Sequence, residues 1–108
     1  MPEIKIVRKG DHIQPETGVQ FQVAATDLVT FTTETDKGAK GLTITFVDRS
    51  PFDRKVVPYG TPLPIVVPVN ADRNKNKYSF VCEMTINGQP FKSQPPHGGE
   101  MEVIKTDS

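Results

Sequence analysis

The stretch Lys77-Tyr78-Ser79-Phe80-Val81-Cys82-Glu83-Met84-Thr85-Ile86 sets Tyr78, Phe80, Cys82, Met84 and Ile86 in one phase of a strict alternation. A repeat of two puts successive side chains on opposite faces of an extended chain, so Tyr78 to Ile86 is expected to form one long strand with a buried face. Asn87-Gly88 follows at once. Both central residues of a type I′ turn need positive φ, which Asn and Gly tolerate, so the chain is expected to fold back over residues 89–93.

The same period recurs on both sides of this strand. Ile4 and Ile6 alternate with charged residues, Val19, Phe21 and Val23 with Gln20 and Gln22, and Leu42, Ile44 and Phe46 with Thr43, Thr45 and Val47. Leu28 to Thr33 is β-branched and aromatic, the composition of a strand. No helical i, i+3, i+4 pattern persists for ten residues. Between Pro58 and Val69 the prolines fall only at even positions. In an extended chain these would strip N–H donors from one side only, which predicts an edge strand protected against further pairing. Asn70 to Lys77 reads as a solvated connection, Gln94 to Gly99 as a loop, and Glu100 to Lys105 as the closing strand. The sum is an all-β chain of seven to eight strands in a Greek-key sandwich.

With 108 residues there is material for one domain, residues 1–108, and one core. Ten prolines favour short strands and turns. Thirteen basic residues balance thirteen acidic ones, so no net field draws the chain to nucleic acid or to an anionic membrane. The single cysteine excludes an internal disulfide framework. No apolar run reaches membrane-span length, and Met1-Pro2-Glu3-Ile4-Lys5 lacks the apolar stretch of a signal peptide. As it stands the chain reads as cytoplasmic, and as periplasmic or secreted if a leader has been removed.

Three segments carry a resemblance. Ala25-Thr26-Asp27-Leu28-Val29-Thr30-Phe31, Gly41-Leu42-Thr43-Ile44-Thr45-Phe46-Val47-Asp48 and Tyr78-Ser79-Phe80-Val81-Cys82 are similar to the strands that build a cupredoxin sandwich. The last resembles that family's penultimate strand, whose cysteine thiolate holds copper. The resemblance implies a cupredoxin-like, plastocyanin- or azurin-type fold, and a copper site drawn from Cys82, His97 and Met101. The His97 to Met101 spacing of four is one the family often shows. Blue copper takes a thiolate, two imidazoles and a weak axial thioether. Here Gly41 or Leu42 stands where the first ligand histidine would be, and His12, near the amino terminus, is the one other imidazole in the chain.

Packing supplies a competing account of each candidate. Cys82 shares its phase with Tyr78, Phe80 and Met84, and free cysteine is among the most buried residue types. Met84 and Met101 suit a core, and His97 lies in a Pro and Gly loop. A Cys82 and His97 pair is the sole nucleophile and base candidate. The zinc, calcium and phosphate-loop signatures are missing. Arg73 to Lys77 is basic without aromatic residues to stack bases. Phe52, apolar within the charged turn Asp48 to Lys55, is a candidate partner contact or a lid on an open end of the sandwich.

These readings point to a non-enzymatic binding or protein-interaction module without a cofactor, monomeric or weakly self-associating. Its expected partner is another protein, with no nucleic acid or membrane. The alternative is a copper-binding or electron-transfer protein using Cys82, His97 and Met101.

Overall fold

Alternation becomes ladder pairing in the computed structural model, which describes residues 2–33, 38–94 and 98–105. Ten strand segments occur among them: β1 (Glu3–Lys9), β2 (His12–Pro15), β3 (Gln20–Ala24), β4 (Leu28–Thr33), β5 (Ala39–Phe46), β6 (Val56–Pro58), β7 (Leu63–Pro64), β8 (Lys77–Ile86), β9 (Gln89–Lys92) and β10 (Gly99–Ile104). They form a four-stranded sheet in the order β2-β1-β4-β7. The second sheet has six strands, in the order β3-β10-β8-β5-β6 with β9 added to β8. Both are mixed. β1 pairs parallel with β4 and β3 parallel with β10, while the remaining pairs are antiparallel. The protein is an all-β sandwich, and the segments beyond the expected seven or eight are short ones such as β2, β6 and β7.

Strand β8 spans the length anticipated for it and buries Tyr78, Phe80, Cys82, Met84 and Ile86. Phe80 is the hub of the core. The rings of Phe21, Phe31 and Phe46 lie 5.9, 5.6 and 5.4 Å from it in tilted or edge-on contact, the arrangements that aromatic quadrupoles favour. Gly99 permits this, since a Cβ there would overlap the Phe80 ring. The turn after β8 has φ of 52° at Asn87 and 82° at Gly88, the positive pair a type I′ hairpin requires.

One reading of the loops needs correction, and one is decided between its two alternatives. Phe52 is the lid on the sandwich and not a surface contact. It is 4% exposed and stands edge-on to Phe46 at 5.6 Å and Phe31 at 6.4 Å, closing one part of the core. Burying a ring this size against two others outweighs the charged composition of its turn. The stretch from Asn70 to Lys77 is not merely a solvated link, because Arg73–Asn76 forms a 3-10 helix capped by the Asp72 side chain. Asn76 is buried there, accepting from the Asn70 N–H at 2.6 Å and donating to the Asn70 carbonyl at 3.0 Å.

The proline-rich segment supplies edges, as expected, but to both sheets in turn. Val56–Pro58 borders the six-stranded sheet and Leu63–Pro64 the four-stranded one.

Candidate functional site: the cysteine strand and the open sheet edge

Cys82 sits where β8 changes partner. On one edge β10 pairs with Lys77 to Phe80 and β9 with Glu83 to Ile86, leaving Val81 and Cys82 at the junction. Ser93 closes the gap: its N–H donates to the Cys82 carbonyl at 3.0 Å, and its hydroxyl accepts from the Cys82 N–H at 3.0 Å. Gly98 packs from the other side. A Cβ on it would lie 2.6 Å from the Ser93 hydroxyl oxygen and 3.3 Å from the Cys82 sulfur. The thiol is 1% exposed, and burial pushes its pKa up to about 12. A free thiolate is therefore strongly disfavoured in this pocket.

The candidate ligands among the described residues do not gather around it. Met101 is fully buried on β10 opposite Tyr78, four positions along β8 from Cys82, or about 13 Å at the ~3.3 Å rise of a strand residue. His97 lies outside the described residues. His12 is on β2 of the other sheet, with Nε2 3.0 Å from the Gln14 side-chain oxygen and Nδ1 3.5 Å from Asp11 without hydrogen-bond geometry. Of Gly41 and Leu42, either of which the resemblance would set in the place of a ligand histidine, the first has no side chain and the second is buried in the core. Among the described residues no three His, Cys, Asp or Glu side chains meet at a metal-sized site. The described donors do not fit copper.

A cleft of about 460 Å³ opens near the buried Met84 and Ile86, beside the exposed charges Arg8, Lys9 and Glu16. Arg8 is held by the Gly10 carbonyl at 2.7 Å and by the Phe91 ring, 4.6 Å from its guanidinium carbon. Among the described residues no cysteine, histidine or serine lines this cleft.

The sheet edges differ from one another in a way that bears on partners. Backbone groups of alternate residues point to the same side of a strand, so one ladder bond fixes the phase of a whole edge. The Glu16 N–H bonds to the Lys5 carbonyl, which turns Pro15 of β2 outward. The Phe46 N–H bonds to the Lys55 carbonyl, turning Val56 and Pro58 of β6 outward. The Ser93 N–H bonds to the Cys82 carbonyl, turning Pro90 and Lys92 of β9 outward. β7 ends in Pro64. Each of these boundary strands thus carries a proline, which lacks the donor an added strand would need.

β3 is the exception among the described residues. The Glu100 N–H bonds to the Val19 carbonyl and the Ala25 N–H to the Ile104 carbonyl, so residues 19, 21, 23 and 25 face β10. Gln20, Gln22 and Ala24 face away. Ala24 is already satisfied: its N–H donates to the Asp27 carboxylate at 2.8 Å and its carbonyl accepts from the Asp27 N–H at 3.0 Å. That leaves the N–H and C=O of Gln20 and Gln22 open along the edge, and both residues are exposed. A hollow of about 280 Å³ lies beside them, lined by Gln20, Phe21, Gln22, Lys77, Glu100 and Glu102.

The outer face here is held by charge. Glu102 accepts from Arg73 Nε and Nη2 at 3.1 and 3.2 Å and from the Gln22 amide at 2.9 Å. The Arg73 guanidinium first, and then the Gln22 amide, hold its carboxyl below the usual carboxylate range. Arg49 secures the helix that carries Arg73 by donating to the Lys75 and Lys77 carbonyls at 3.0 and 3.1 Å, with its guanidinium carbon 4.7 Å from the Tyr78 ring centroid.

The sequence points to Cys82 and not to this edge. The signal that could have found it is the placement of proline, present in each of the other boundary strands and missing between residues 19 and 25. No protein-family model, curated protein or solved structure matches the chain. No helix among the described residues is long and apolar enough to cross a membrane.

Proposed function

We propose that this chain is a cupredoxin-like sandwich acting as a non-catalytic protein-interaction module, and that it engages its partner by strand addition along β3. One observation carries the reading: Gln20 and Gln22 offer two donors and two acceptors in line, on the one boundary strand without proline among the described residues. Pairing along a sheet edge gives affinity through main-chain hydrogen bonds, while neighbouring hollows receive alternate side chains of the added strand. A hollow lies beside Gln20, Phe21 and Gln22, toward β10 and β8. The cupredoxin-like part of the reading is supported by two mixed sheets, and by a cysteine strand paired with the closing strand.

Selection of displayed random peptides on the immobilised protein tests this function. Peptides retained by the wild type and lost with Gln22→Pro support strand addition, because that change removes an outward donor and leaves the β10 ladder alone. No enrichment over an unrelated sandwich protein would reject it. Copper retained through desalting and lost with Cys82→Ser would put the electron-transfer alternative in its place.

A further inference from the structure

The open stretch of β3 is short, closed at both ends and self-complementary. Beyond Gln22, the Ala24 groups are taken by Asp27. Before Gln20, the next residue of the same phase is Gly18, whose N–H donates to the Pro15 carbonyl at 3.1 Å. Two copies of β3 running antiparallel can therefore satisfy each other fully in one register, with the two-fold axis at Phe21. Gln20 then lies opposite Gln22 of the second copy, and Gln22 opposite its Gln20. Both are hydrogen-bonded pairs, so four bonds form and no open group is left over. A register centred on Gln20 or on Gln22 would set an open residue against Gly18, whose N–H is already engaged, or against Ala24, whose N–H and C=O both are.

Side chains agree with this register. The residues that face each other across the axis on the outer side are glutamines, so no like charges are opposed. On the inner side Phe21 meets its symmetry mate at a non-hydrogen-bonded position, where side chains approach most closely. Phe21 is only partly buried within its own chain, leaving ring surface for that contact. The chain carries no net charge, so two copies do not repel at long range.

Resting on the strand-addition reading above, we infer that the partner strand is β3 of a second copy, forming a two-fold dimer whose six-stranded sheets join through Gln20 and Gln22. Such a contact is isologous and closed, the usual form of a homodimer. Its small size makes it a weak association, populated near roughly 1 mM chain and dissociated near about 10 μM.

Translational diffusion and amide exchange by NMR across that concentration range test the inference. The expected result is a shift to dimer at the upper end, with exchange of the Gln20 and Gln22 amides slowed about tenfold or more as dimer forms. Gln20→Lys with Gln22→Lys places lysines opposite one another across the axis and should abolish the dimer. Gln20→Glu with Gln22→Lys places a carboxylate opposite an ammonium in both halves and should tighten it at least several-fold. A wild type that stays monomeric near 1 mM, with both amides exchanging at a constant rate, overturns the second-copy inference and leaves the peptide selection to stand by itself. A dimer that the double lysine variant does not weaken forms through another surface and likewise overturns the second-copy inference, with strand addition still judged by the peptide selection.

Discussion

Ser93 and Cys82 form a reciprocal pair: the serine N–H donates to the cysteine carbonyl, and the serine hydroxyl accepts from the cysteine N–H, each at 3.0 Å. The second of these bonds stands in for a ladder partner where β8 passes from β10 to β9. Ser93→Ala keeps the first bond and orphans the Cys82 N–H. It should lower stability by about 1 to 3 kcal/mol, read from the urea midpoint, and speed the reaction of Cys82 with thiol reagents under native conditions. An unchanged midpoint would mean that water replaces the hydroxyl.

Cys82 sets an alkaline limit on the fold. Its thiol titrates near 9.0 when free and at about 12 in the folded chain, so between those values the folded state holds a proton that the unfolded state has lost. Stability is therefore full below pH 9 and falls as pH rises through this window, by about 1.4 kcal/mol per unit from this group. Urea unfolding of wild type and Cys82→Ala between pH 8 and about 10.5 should give curves that converge. Parallel curves would show that the thiol ionises as readily in the fold as outside it.

Glu102 acts at the acid end with the opposite sign. Arg73 and Gln22 depress its pKa below 4.5, so its contribution is full above that value and is lost as pH falls through the lower folded value. Glu102→Gln should flatten the acid limb of the stability curve. Added salt should weaken the contribution, since Arg73 is largely exposed and its charge is screened.

Phe52→Ala should cost about 3 to 5 kcal/mol, the range for a buried ring truncated to a methyl group, because two aromatic neighbours lose their edge contacts. Peptide selection by whatever fraction remains folded should match the wild type. A mild loss of stability with a changed peptide profile would return Phe52 to the surface.

Alternation makes most of the sandwich legible in the residues alone, because a half-buried strand must place apolar residues at every second position. The boundaries of β4 and β8 and the Asn87-Gly88 turn follow from that and from φ preferences. β2 does not, since His12 and Gln14 share a phase with no apolar member and only Ile13 and Pro15 reach the interior. Phe52 escapes such reasoning because composition describes a turn and says nothing of which core ring it can reach. The Cys82 environment depends on Ser93 and Gly98, residues 11 and 16 positions away whose approach is set by tertiary pairing. The open edge is hidden for a different reason: unpaired backbone groups belong to every residue type, and only ladder phase reveals which ones are left.

The parallel pairing of β3 with β10 also governs the order of events during synthesis. The Gln22 to Glu102 bond spans 80 positions, so β3 leaves the ribosome roughly 4 to 16 s before its partner at about 5 to 20 residues per second. Throughout that interval both sides of β3 are unpaired, and such long-range closure is intrinsically slow. The nascent chain therefore passes through a stage in which Val19 to Ala25 is most exposed to misassembly. Slowing translation between β8 and β10 should lengthen that stage, and raise the demand for chaperones without altering the finished fold.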